Sequence, residues 1–157
     1  MLVTRNAFFD HAIQASGPQC RTQTWSDRVT APREANHPGA IGQEVRDGKL
    51  AFTATSLDVC EDGQIKLHMT VKNTSDSAKK LLAYNQLLLR HPDHASGEVP
   101  RGGFACDRCN GKGADIYINA GDSTDAVVSF DIGGEAPAIE AFELHDSMFS
   151  DGVKVYP

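Results

Sequence analysis

Ile65, Leu67, Met69 and Val71 alternate with Lys66, His68, Thr70 and Lys72. A period of two sustained over this length buries one face of an extended strand and leaves the other to water. The same pattern recurs along the chain. Leu50, Phe52 and Ala54 alternate with Ala51, Thr53 and Thr55, and Ala126, Val128, Phe130 and Ile132 mark another strand. Lys79–Arg90 reads as one or two strands with Leu87 and Leu89 on one face, and Ile116 with Ile118 marks a short one. Ile139–His145 and Val153–Tyr156 complete the set. Asp62-Gly63, Gly121-Asp122 and Ser150-Asp151-Gly152 supply turns between them. Seven or eight short strands without a core helix predict an antiparallel β-sandwich. Alternation, rather than continuous apolar runs, argues against a parallel sheet.

Residues 1–40 lack this pattern. Asn6 caps a candidate short helix over Ala7–Ala15, within residues 6–15, with Phe8, Phe9, Ala12 and Ile13 on one side. Gly17-Pro18 would end it, and Pro32 and Pro38 punctuate a polar stretch in which no period survives. The division expected is an N-terminal arm or linker over 1–40 and a sandwich over 41–157. Trp25 is the arm's candidate anchor. An isolated helix this short is marginal in water, so it needs a docking surface on the domain or on a second copy.

The chain has 157 residues and 40% apolar residues, enough for one domain to bury a core without disulfides or metal. Its net charge of −6 speaks against a nucleic-acid partner, which requires clustered Lys and Arg. No apolar run approaches the roughly 20 residues of a membrane helix. Ala7-Phe8-Phe9 is too short for the core of a signal peptide, and no apolar stretch precedes Cys20 as in a lipoprotein leader.

Several motifs fall together in one order. Val45-Arg-Asp-Gly48 precedes Leu50-Ala-Phe-Thr53, followed by Val71-Lys-Asn73, Asn85-Gln86 and Ile118-Asn-Ala-Gly121. Phe142-Glu-Leu-His-Asp-Ser147 and Phe149-Ser-Asp-Gly-Val-Lys-Val155 close the chain. Across 41–157 this resembles a bacterial family of extracytoplasmic immunoglobulin-like domains, in the telokin-like and immunoprotective extracellular antigen group. The resemblance implies an immunoglobulin-like β-sandwich, exported to the cell envelope or secreted, from a family with no established catalytic activity and so no catalytic residues to carry over.

One stretch hints at chemistry. His91-Pro-Asp-His94 is followed, after eleven residues, by Cys106-Asp-Arg-Cys109. Four donors in two pairs match the arithmetic of a tetrahedral zinc site at His91, His94, Cys106 and Cys109. Cys106-Asp-Arg-Cys109-Asn-Gly-Lys-Gly113 also resembles one zinc repeat of the J-domain cochaperones. A disulfide is the second reading, with Cys60, Cys106 and Cys109 as candidates. A Cys60–Cys106 bridge closes a loop of about 45 residues, worth roughly 4 kcal/mol in the chain-entropy model. Four cysteines allow three connectivities, so the pairing stays open. The third reading is a redox pair, but the expected βαβ surroundings are absent.

Other candidates weigh less. His145-Asp146-Ser147 has the residue types of a hydrolase triad, but consecutive strand residues alternate faces and no nucleophile elbow is present. Local turn bonding by Asp146 and Ser147 is the preferred reading. The Gly102-Gly103 and Gly111-Lys-Gly113 pairs lack the context of a phosphate loop. Asp107, Asp115, Asp122 and Asp125 do not follow a calcium-loop pattern. His68 is expected on a solvated face. Asn73-Thr-Ser75 matches a glycosylation sequon. The expectation is therefore a non-enzymatic extracytoplasmic binding domain without a cofactor. Its partner would be an unknown protein or small ligand at the 92–113 loop, with zinc binding as the alternative.

Overall fold

The computed structural model describes residues 19–24, 36–90, 102–104, 115–132 and 139–157. Twelve strands lie among them: β1 Cys20–Thr24, β2 Gly39–Ala40, β3 Glu44–Asp47, β4 Leu50–Cys60, β5 Gln64–Asn73 and β6 Lys79–Leu81, then β7 Leu87–Arg90, β8 Gly103–Phe104, β9 Ile116–Ile118, β10 Ser123–Asp131, β11 Ala141–Leu144 and β12 Val153–Tyr156. A single helical turn, α1 over Ala83–Gln86, precedes β7.

The strands form a largely antiparallel β-sandwich. One sheet runs β1-β4-β5-β10-β8, with β3 also on β4, and the facing sheet runs β2-β12-β11-β7. Strands β6 and β9 form a separate ladder. All pairings are antiparallel except β2 on β12. The alternation read from the sequence becomes the core. Ile65, Leu67, Met69 and Val71 from β5 and Ala126, Val128 and Phe130 from β10 are buried with Leu87, Leu89, Phe142, Leu144, Val153 and Val155 of the other sheet. The Phe130 and Phe142 rings, one from each sheet, lie 5.6 Å apart, within the range of favourable tilted aromatic pairs.

Strand β4 carries an irregularity. Ala54 pairs with Met69 and Ser56 with His68, so Thr55 is an extra residue, a β-bulge. It shifts the inward parity from Leu50, Phe52 and Ala54 to Leu57.

Three features depart from the sequence reading. Residues 20–24 and 39–40, assigned to the arm, are strands within the two sheets. The stretch read as one loop from His91 to Cys109 contains β8, which pairs with Val128 and Ser129 of β10. Within Lys79–Arg90, α1 separates two strands of different ladders. The candidate helix at 6–15 and Trp25 lie outside the described residues.

Candidate functional site

The connection from β11 to β12 concentrates the buried polar groups of the domain. Asp47, at the end of β3, is buried, and its carboxylate accepts the Asp146 backbone N–H at 2.6 Å and the Ser150 hydroxyl. Asp146 in turn accepts the Lys49 backbone N–H at 3.1 Å and the Lys79 ammonium at 2.8 and 3.1 Å. Gln86 of α1 is buried, and its side-chain amide donates to the His145 and Asp146 carbonyls at 3.1 and 2.6 Å. Three separate segments, residues 47–49, Lys79 and Gln86, thus converge on residues 145–150. Buried polar groups are tolerated because each finds its partner here.

His145 completes the brace. Its Nδ1 lies 2.9 Å from the Ser150 carbonyl and its Nε2 lies 2.8 Å from Glu143 Oε1. Both neighbours are acceptors, so both ring nitrogens donate only when the ring carries two protons. Glu143 also accepts Arg90 Nε at 2.9 Å. Burial works to raise the Glu143 pKa, but the hydrogen bonds from Arg90 and His145 outweigh it and the pKa is lowered. Gly152 packs flat on the imidazole. Its φ is +75°, and a Cβ there would lie 2.5 Å from His145 Cε1. Gly48, at φ +56°, leaves similar room for the Asp146 carboxylate.

This braced turn ends in an apolar tip. Phe149 is 90% exposed and Met148 is 54% exposed. The Ser147 hydroxyl accepts the Phe149 N–H at 3.3 Å, and Ser147 N–H points to Ser150 Oγ at 3.3 Å. Ser147 is therefore a turn residue and is not joined to the His145 ring, so His145, Asp146 and Ser147 do not form a relay. The turn role expected for Ser147 holds. Asp146 instead binds distant segments.

The motifs behind the family resemblance have the same explanation. Asp47, Gly48, Asn73, Gln86, His145, Asp146 and Gly152 are the residues that lock turns to the sandwich. Asn73 is fully buried, and its amide nitrogen faces the carbonyls of Ser77, Ile118 and Asn119 at 2.7–3.1 Å. The sequon asparagine is thus inaccessible to a glycosylating enzyme in the folded domain. His68 sits 2.9 Å from Asp58 on the outer face of β5. Burial acts to raise the Asp58 pKa, and hydrogen bonds from Thr22 and His68 bring it below its ordinary value.

The cysteines supply a correction. Cys60 is bonded to Cys20, its direct partner in the β1–β4 register. A bridge from Cys60 to Cys106 or Cys109 is thereby excluded, because its sulfur is already used. Cys20 escapes the sequence reading because residue 20 falls in a stretch without strand periodicity. His91, His94, Cys106 and Cys109 lie outside the described residues. Among the described residues, no group of His, Cys, Asp and Glu is arranged to hold a metal ion.

No family model matches the chain, and no curated protein does. Among solved structures, it is similar to the YjhA protein of Bacillus subtilis, at 13% identity and a TM-score of 0.55, over 76% of this chain and 98% of that one. A secreted protein of Mycobacterium tuberculosis, MPT63, aligns at 17% identity and a TM-score of 0.47, over 78% of this chain and all (100%) of that one. The likeness to YjhA establishes a shared fold.

Proposed function

We propose that this domain is a non-enzymatic interaction module of the extracytoplasmic space, with the Met148–Phe149 tip as a contact point for a protein partner. The observation that carries the reading is the contrast within one turn. Its polar groups are tied into the sandwich, while its largest apolar side chain is held out in water. Rigid aromatic residues displayed in this way are the usual anchors of protein interfaces, because little entropy remains to be lost on binding. The Cys20–Cys60 disulfide supports the compartment, since such bonds persist where the surroundings are oxidising.

A photo-reactive phenylalanine analogue at position 149, expressed in the native host, tests the reading. We expect a specific cross-linked partner from position 149 and none from position 66 on the outer face of β5. Equal cross-linking at both positions, or none at 149, would sink the proposal. Thiol counting on the recovered protein checks the compartment, with Cys20 and Cys60 expected to be blocked.

A further inference from the structure

The outer edge of β4 is covered twice. Strand β3 pairs with Leu50–Thr53 and β1 pairs with Ser56–Cys60, and the bulge at Thr55 separates them. Strand β3 is rooted in the domain through Val45 in the core and Asp47 in the polar brace. Among the described side chains of β1, Arg21, Thr22 and Gln23 supply no such root, since they are exposed and none of them joins the core. Its noncovalent ties include a five-residue ladder, the Glu61 N–H bond to the Gln19 carbonyl at 2.9 Å and the Thr22 hydroxyl on Asp58 at 2.7 Å. Backbone hydrogen bonds made at a solvent-facing edge do little more than offset the entropy of fixing the residues that make them. The covalent bond from Cys20 to Cys60 therefore holds the strand in place.

That bond is accessible to thiols. Cys20 is exposed, whereas Cys60 is 2% exposed. Both line a groove of ≈ 920 Å³ with Arg21, Leu57, Val59 and Ile139. We propose that the Cys20–Cys60 disulfide is a reducible clasp over a strand-addition site, the β4 edge from Ser56 to Cys60, and that β1 of a second copy occupies this site after release. A dithiol supplies the electrons. Its thiolate attacks the exposed Cys20 sulfur and expels the Cys60 thiolate, which takes up a proton. The reductant's second thiol then displaces Cys20 as a thiol, leaving the reductant as a disulfide. Two electrons and two protons reach the protein.

The uncovered edge presents unpaired backbone donors and acceptors, a template for another strand. A second copy's β1 fits without any new chemistry. It brings a Cys20 opposite Cys60 and a Thr22 opposite Asp58, in the register already used. Exchange in both directions satisfies both edges and closes a two-fold dimer. Fourteen residues lie between Thr24 and Gly39, and a connection of that length spans at most about 50 Å.

The 157-residue chain carrying Cys106→Ser and Cys109→Ser leaves Cys20 and Cys60 as its cysteines. Hydrogen exchange is followed with and without dithiothreitol. On reduction, exchange of the β4 amides paired with β1 should rise to within about tenfold of unstructured rates while those paired with β3 stay protected. Retention of protection at both sets of pairs, or its loss at both together, overturns the clasp. In the same background, Cys20→Ser protein is mixed with Cys60→Ser protein and oxidised. Each chain then carries one of the two thiols, so a 20–60 bond can form only between chains, and the expected product is a covalent dimer of twice the mass with a 20–60 linked peptide. A mixture that stays monomeric, in amounts where the parent re-forms its own bond, overturns the second copy as occupant.

Discussion

Strands β3 and β1 lie end to end on the same edge of β4, yet different physics holds them. Strand β3 contributes a core side chain and a buried carboxylate, so its position follows from the hydrophobic effect and from satisfied polar groups. The described side chains of strand β1 contribute neither, and a covalent bond does the same work. Backbone pairing alone explains neither strand. What keeps an edge strand in place is what its side chains reach.

The sharpest way to break the comparison is to remove the covalent tie. Replacing both Cys20 and Cys60 by Ser should lower global stability by up to about 4 kcal/mol, the chain-entropy value for residues 40 apart. Denaturant unfolding measures this, and loss of the full amount would show that β1 stays docked by other anchors, because the entropy difference then acts on the unfolded chain alone. Asp47→Ala attacks the other strand. It leaves the Asp146 N–H and the Ser150 hydroxyl without their acceptor and should cost about 2–3 kcal/mol. Val45→Ala removes only packing and should cost about 2 kcal/mol. Loss of protection at the β3 pairs, with β1 retained through its disulfide, is the expected exchange pattern for both.

The pH dependence probes the brace. The folded pKa of Glu143 lies below its ordinary value of 4.5, so it contributes stability that is present above that value. The contribution is lost as pH falls through the lower folded value. Unfolding midpoints measured from neutral pH into the acid range should fall less steeply in Glu143→Gln than in the parent. Equal slopes would remove Glu143 from the brace. The smallest expected effect belongs to the exposed tip. Phe149→Ala should change stability by no more than about 0.5 kcal/mol. A large loss would mean that the ring packs against the domain instead of serving a partner.

The strands with apolar alternation are legible in the amino-acid order alone. Strands β4, β5, β10, β11 and β12 fall where Leu50, Ile65, Ala126, Phe142 and Val153 place them. Strand β1 is not legible, because Cys-Arg-Thr-Gln-Thr offers no apolar face to read. Strands β2 and β8 have two residues each, too few for any period. The bulge at Thr55 is hidden for a related reason, since only the pairing with β5 shows which residue is extra. Of the candidate chemistry, Cys60 is recognisable as a bridge former and its partner is not.

By itself, the sequence determined the sandwich, because alternating side chains can be buried in only one way and Gly, Asp and Asn mark where the chain must turn. It also marked the polar residues that lock those turns, as motifs without a stated reason. The tertiary structure alone decided the rest. It brought Asp47, Gln86 and Lys79 onto residues 145–150, set Cys20 opposite Cys60, and left Phe149 in water. Those outcomes depend on which distant segments meet, and local propensity carries no record of that.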